Sequence, residues 1–292
     1  MKSKQIKWNY LIILALIWGS SFILIKKGLI GLTAIQLGSL RIIFASLFLI
    51  LIGFKSLFLI PRNKWKYIAL TAVCGTFLPA YLFAISQTEL DSSVTAILNS
   101  LTPLNTLLIG TIAFSVGFQK RQLWGVFIGL IGSLLLVLNG AMNHPEQNYF
   151  YAILVIIASI CYAINVNLIK KYLSDLSPLS ITTGNFAILF FPALFILFSS
   201  GYIEMIHIEK VRQATIYILI LGVIGTGIAN ILFFKLIQIA SPIFASSVTY
   251  LIPLVAFFWG LLDHEILTPI QFLGAFIILI GVYLSAKKQK SH

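Results

Sequence analysis

The chain has 292 residues, 59% of them hydrophobic and only 10% charged, with 20 Lys and Arg against 8 Asp and Glu for a formal net charge of +12. So little polar surface excludes a soluble globule and marks an all-α integral membrane protein whose solvent is the lipid bilayer. The basic excess does not point to nucleic acid, because the cations sit in short clusters between apolar runs and form no stripe or aromatic-interleaved patch.

In chain order, apolar runs centred on 10–26, 37–54, 67–86, 93–115 and 123–139 precede a polar stretch at 140–150. Runs centred on 151–169, 180–198, 215–234, 243–262 and 270–286 follow it. Each approaches the roughly 20 residues that a helix needs to cross a bilayer, so ten transmembrane helices are predicted. The first run follows Lys2, Lys4 and Lys7, continues past signal-peptide length and lacks a clear small-residue cleavage site; it reads as a span.

With the amino end in the cytoplasm, the inner segments hold Lys2, Lys4, Lys7, Lys55, Arg62, Lys64, Lys66, Lys120, Arg121, Lys170, Lys171, Lys235, Lys287, Lys288 and Lys290, which is 15 of the 20 basic residues. The outer segments hold Lys26, Lys27, Lys210 and Arg212, with Glu89, Asp91, Glu146, Glu204, Glu209, Asp263 and Glu265. The positive-inside rule then places both termini in the cytoplasm, and the protein in the cytoplasmic (inner) cell membrane as a multi-pass chain. Lys26 and Lys27 run against the rule and are expected to snorkel at the outer end of the first span.

Residues 75–110 recur at 225–260 without a gap. Gly75-Thr76, Leu82-Phe83, Leu101, Pro103-Leu104 and Gly110 reappear as Gly225-Thr226, Leu232-Phe233, Leu251, Pro253-Leu254 and Gly260. The chain therefore divides into a first repeat at 1–140 and a second at 141–292. Because each holds five spans, an odd number, the second must enter the membrane from the opposite side. Inverted repeats of this kind place a substrate site near the midplane, where the copies meet, and expose it to one side at a time.

Trp18-Gly19-Ser20-Ser21-Phe22 in the first span, Arg41-Ile42-Ile43-Phe44 in the second, Leu101-Thr102-Pro103-Leu104 in the fourth with its echo in the ninth, the glycines of the fifth and tenth, and the basic tail resemble the drug/metabolite transporter superfamily, EamA type. The resemblance covers nearly the whole chain. It implies a ten-helix bundle of two inverted five-helix repeats that moves small organic molecules, often exporting amino acids or other metabolites. It implies no particular cargo, since these motifs mark the scaffold.

Pro103 and Pro253 fall inside the fourth and ninth spans, where each removes a backbone donor and frees the carbonyl four residues earlier, that of Asn99 and of Thr249. Such carbonyls are tolerated only against protein or a watery cavity, so both are predicted to face the interior, with the prolines as static kinks or as bending points for gating. Asn99, Asn165, Asn185 and Asn230 are buried amides that need partners; each faces another helix or a water-filled route. Arg41 is the one charge well inside a span. It snorkels outward, pairs with a helix end, or lines an external vestibule; as a binding group its planar fork would suit a carboxylate. Trp18 and Tyr162 occupy matching places when Lys26-Lys27 is set on Lys170-Lys171, and with Tyr81 and Tyr250 they are read as lining a shared central cavity, core packing being the alternative.

Gly125, Gly129 and Gly132, and likewise Gly274 and Gly281, put small residues on one helix face, for packing within the chain or for a homodimer in place of a monomer. Cys74 and Cys161 show no metal-ligand spacing, and neither a metal nor any other cofactor is expected. No carboxylate lies in a span, so proton coupling through a buried acid is not expected. The leading expectation is a secondary transporter moving a small amino-acid-like or other neutral or zwitterionic solute by alternating access, with export the expected direction. The alternatives are a lipid-linked transferase, for which no acid cluster or nucleophile with a base is present, and a non-transporting sensor on a carrier scaffold. The chain carries no Walker sequence for ATP-driven pumping.

Overall fold

The computed structural model describes residues 2–90, 92–117, 119–141, 148–262 and 269–286, and each element in them is helical. The helices are α1 (Lys2–Gly28), α2 (Ala34–Leu57), α3 (Arg62–Ser86), α4 (Ser92–Asn99), α5 (Thr102–Phe114), α6 (Lys120–Ala141), α7 (Ala152–Tyr172), α8 (Pro178–Ser199), α9 (Glu209–Ile239), α10 (Pro242–Ser246), α11 (Val248–Leu262) and α12 (Pro269–Ala286). Among the described residues, α1 to α3 and α7 to α9 are long and apolar enough to cross a membrane. Large apolar side chains point away from the bundle, Leu51 and Ile112 at 83% exposure and Phe195 at 74%. In water such a surface would drive aggregation; in hydrocarbon it is solvated, and the chain is a multi-pass membrane protein. Asp91, His144, Glu146, Asp263, His264, Glu265, Lys287, Lys288, Lys290 and His292, on which part of the charge count rests, lie outside the described residues, as does 142–147 of the stretch between the repeats.

Helix starts are set by local polar chemistry. The Thr33 hydroxyl accepts the Gln36 N–H at 3.2 Å while the Thr33 N–H donates back to Gln36 Oε1 at 3.0 Å, a reciprocal cap on α2. Ser177 Oγ accepts the Ser180 N–H at 3.0 Å ahead of α8, and Ser241 Oγ the Phe244 N–H at 3.1 Å ahead of α10. Each cap is worth about 1 kcal/mol.

The runs at 93–115 and 243–262 are not continuous helices. The first breaks at Ser100-Leu101 and the second at Ser247. Pro103 consequently falls in the first turn of α5, not in a helix interior, and there its missing N–H costs nothing. Pro253 does lie inside α11. Two further irregularities stand in register with the repeat: residues 73–77 of α3 and 221–228 of α9 are π-helical, with the Leu78 N–H reaching Val73 O and the Ala229 N–H reaching Ile224 O, five residues back.

Helices α6 and α12 cross at their glycines. A Cβ on Gly281 would stand 2.5 Å from Gly129 N, and one on Gly132 would stand 2.8 Å from Gly274 O. The small-residue face that the sequence left open to a homodimer is thus filled by the chain's own α12. Tyr250, expected at the cavity, is also here: fully buried, its ring lies against Gly129 and its hydroxyl donates to Val126 O at 2.9 Å. A phenol needs one acceptor when buried, and this carbonyl supplies it.

At one end of the bundle the first turn of α3 meets the end of α7 and the loop that follows it. Lys64 Nζ donates to Tyr172 O at 2.7 Å and to Asp175 Oδ1 at 2.9 Å. The ammonium beside Asp175 holds its carboxyl below the usual carboxylate range, hydrogen bonding being the main cause. A carboxyl depressed in the folded state contributes stability above its unfolded pKa of about 3.9, and loses that contribution as pH falls through the folded value. The thermal midpoint of Asp175→Asn is therefore expected slightly below wild type at pH 7, with the gap closing in acid as the folded-state carboxyl becomes protonated. The carboxylate is more than half exposed, so the effect is small. An equal gap at pH 7 and in acid would reject the assignment.

Candidate functional site

The broken and π-helical segments converge. Between them lies a partly open cavity of roughly 80 Å³. Of the residues singled out from the sequence, Trp18, Arg41, Asn99, Tyr162, Asn230 and Thr249 stand on its wall, and Tyr81 and Tyr250 do not. The Tyr81 hydroxyl pairs with Ser39 Oγ at 2.9 Å and its ring packs where a side chain on Gly38 would stand, joining α3 to α2. Both tyrosines satisfied the argument that a buried phenol needs a partner. The partner is a neighbouring helix in each case.

The π segments supply the floor of the site. Gly75-Thr76 of α3 and Gly225-Thr226 of α9 both line the cavity, and each glycine makes room for a polar side chain from another helix. A Cβ on Gly75 would meet Asn165 Cγ at 2.6 Å, and one on Gly225 would meet Ser21 Oγ at 2.9 Å. Trp18 Nε1 donates to Gly225 O at 3.0 Å, satisfying a π-segment carbonyl. Gly19 lets α11 approach α1 closely, since a Cβ there would stand 2.5 Å from Val255 Cβ. The Trp18-Gly19 pair thus carries two functions, an indole on the wall and a close helix crossing behind it.

Arg41 stands on the cavity wall. It is the eighth residue of α2, about 10 Å along the helix axis, and its Nε donates to Thr226 Oγ1 at 2.7 Å. The Thr226 hydroxyl in turn donates to Leu221 O at 3.1 Å, so its lone pairs are left to accept from the guanidinium.

The breaks between α4 and α5 and between α10 and α11 are satisfied in different ways. Thr102 Oγ1 donates to Asn99 O at 2.7 Å, closing the carbonyl freed by Pro103. Ser100 Oγ stands 3.3 Å from both Ala96 O and Thr249 O, so the carbonyl freed by Pro253 draws on a hydroxyl from the other break. Asn99 and Thr249 consequently project side chains onto the wall from the two breaks. Asn185 lies away from it, hydrogen-bonded to Thr71 at 2.9 Å.

Among the wall positions not picked out as site residues from the sequence are Thr76 and Thr226, each in a Gly-Thr pair that begins four residues ahead of Pro79 in one copy and recurs 150 residues on. Thr76 Oγ1 and Asn165 Oδ1 are buried on this wall with no hydrogen-bond partner. Among the described residues, no group of three or more His, Cys, Asp or Glu is placed to hold a metal ion.

Comparison with known proteins agrees with this architecture. The EamA-like transporter family matches twice, over residues 7–138 and 149–287. A "Probable amino-acid metabolite efflux pump" of Escherichia coli (strain K12) is 25% identical over 289 residues, covering 94% of this chain and 92% of its own. The "Uncharacterized transporter YoaV" of Bacillus subtilis (strain 168) is 24% identical over 280 residues, covering 94% of both. A solved crystal structure superposes with a TM-score of 0.71 over 97% of this chain and 96% of that one; at 12% identity the likeness concerns the fold alone.

Proposed function

The chain belongs to the EamA-like transporter family, and from that membership we propose a secondary carrier that moves a small, amino-acid-like organic metabolite across the cytoplasmic membrane by alternating access, with export as its working direction. In this reading ten spans form two inverted halves, 1–140 and 141–292, with both termini inside. The contact of Lys64 with Asp175 supports the inversion, because it joins the start of the third span of one half to the loop after the first span of the other.

One observation carries alternating access. Lys170, at the end of α7, directs its three ammonium protons at three carbonyls, those of Ile237, Gln238 and Ala240, at 3.0, 3.0 and 2.9 Å. These are the last acceptors of α9, where the helix dipole also favours a cation. Lys171 likewise caps Phe114 O of α5 at 2.9 Å. In the other half, Leu24-Ile25-Lys26-Lys27 repeats Leu168-Ile169-Lys170-Lys171, yet Lys26 is exposed and has no hydrogen-bond partner among the described residues. Carbonyls 150 residues before those that Lys170 holds belong to Gln87, Thr88 and Leu90, at the outer end of α3. We read this as one latch closed toward the cytoplasm and its twin released toward the outside. It also gives Lys26 a reason to be where the positive-inside rule disfavours it.

With no acid on the wall among the described residues, the carrier is read as working by exchange, by facilitated diffusion or with an ion held by carbonyls and hydroxyls. Proteoliposomes preloaded with unlabelled amino acids and related metabolites should show protein-dependent counterflow of at least one labelled member of the panel. Saturable binding without counterflow would favour a sensor on a carrier scaffold, and neither binding nor counterflow across a broad panel would sink the reading.

A further inference from the structure

We propose that the cargo carries a carboxylate that pairs with Arg41, and that this pairing, not the shape of the apolar body, decides what the cavity accepts; the inference rests on the transport reading above. Three observations lead there. The first is that the guanidinium is oriented but not neutralised. Its Nε is held by Thr226 Oγ1 at 2.7 Å, the residue lines the cavity, and its remaining N–H groups have no partner among the described residues. The second is the absence of an internal counter-charge. All eight acidic residues of the chain, at 89, 91, 146, 175, 204, 209, 263 and 265, lie in loops or at helix ends in sequence, and none of the described ones, at 89, 175, 204 and 209, lines the cavity. A cation in a low-dielectric wall without a partner is unfavourable unless an anion or water accompanies it, and the two parallel N–H groups of arginine match the two oxygens of a carboxylate.

The third observation concerns the rest of the wall. Phe22, Phe83 and Phe233 present an apolar surface, while Asn165 Oδ1 and Thr76 Oγ1 are buried and unpaired. Both are neutral oxygens, so they can accept an N–H from cargo but cannot balance an ammonium charge. The wall therefore has one charged contact, positive, and any amino group of the cargo receives neutral hydrogen bonds only. An amine that lacks the carboxylate would face Arg41 as a like charge.

The test is binding by isothermal titration calorimetry to the purified full chain, with matched pairs of acid and primary amide drawn from aliphatic and aromatic amino and keto acids, and with the corresponding amines. In the wild type the acid should bind about tenfold or more tightly than its amide, as expected for loss of a charge-assisted pair, and the amine should not bind. Arg41→Gln should remove the preference, Arg41→Lys should keep part of it, and Thr226→Val, which frees Nε but leaves the charge, should reduce it. Should Arg41→Gln fail to fold, the Thr226→Val and Arg41→Lys series still reads the same quantity. Equal affinity for acid and amide in the wild type, a preference that survives Arg41→Gln, binding of no acid in the panel, or displacement of the acid by chloride at equal concentration would each overturn the proposal. Carboxylate-selective binding without counterflow would leave Arg41 in its assigned role and remove the transport reading instead.

Discussion

Lys170→Met is expected to leave the bundle folded and to open its inner side. Three charge-assisted hydrogen bonds are lost at once; each contributes about 1.5–3 kcal/mol when fully shielded, and water at the helix end returns part of that. A net change of about 2–4 kcal/mol is enough to shift a two-state equilibrium by a factor of roughly 30 to 1000. The residues sealed behind the latch make good reporters. Phe234 and Phe244 are 1% exposed in the apolar cluster that includes Leu236, Ile237 and Val248. In a background with Cys74 and Cys161 replaced by alanine, Phe244→Cys should resist an impermeant maleimide applied from the inner side, and should react at least tenfold faster when Lys170→Met is added. Lys26→Met should not change that rate. Matching rates with and without Lys170 would show that the latch does not set access.

Gly281→Val has the largest expected effect on the amount of folded protein. Its Cβ would lie 2.5 Å from Gly129 N, 2.6 Å from Gly129 Cα and 2.7 Å from Gly125 O. These are backbone atoms, so no rotamer change relieves the overlap, and α6 must separate from α12. Overpacking in a tight site costs about 1–3 kcal/mol when side chains can yield; here, where they cannot, more than 3 kcal/mol is expected. Size-exclusion profiles of detergent-solubilised protein should show loss of the monodisperse peak. Gly117→Ala is the matched control, since nothing lies within 4 Å of the position its Cβ would take. A Gly281→Val protein as monodisperse and heat-stable as wild type would mean that this crossing is not needed for the fold.

Hydrophobic runs, charge clusters and an internal repeat are readable without coordinates because each is a one-dimensional pattern that the bilayer enforces. A residue in hydrocarbon must be apolar, a loop must be polar, and cations gather on one side. On that basis the sequence by itself determined an all-helical membrane chain, an internal repeat in its residues and the list of polar side chains that had to face protein. Six of the eight expected cavity residues share a wall because a polar group inside a bilayer has few other places to go.

What the sequence could not decide was which polar residue meets which neighbour. Tyr250 and Trp18 present the same argument, an aromatic with a polar tip in mid-membrane; one points at Val126 O between α11 and α6, the other at Gly225 O on the cavity wall. Arg41 lies at a depth that allowed snorkelling, and a single hydroxyl brought by α9 from 185 residues away holds its Nε at the cavity wall. Pro103 and Pro253 have the same spacing in their repeats, yet one begins a helix and the other interrupts one, and the hydroxyls that donate to the freed carbonyls stand on different elements. Direction of a side chain and identity of its partner are properties of three-dimensional packing, and no periodicity along the chain encodes them.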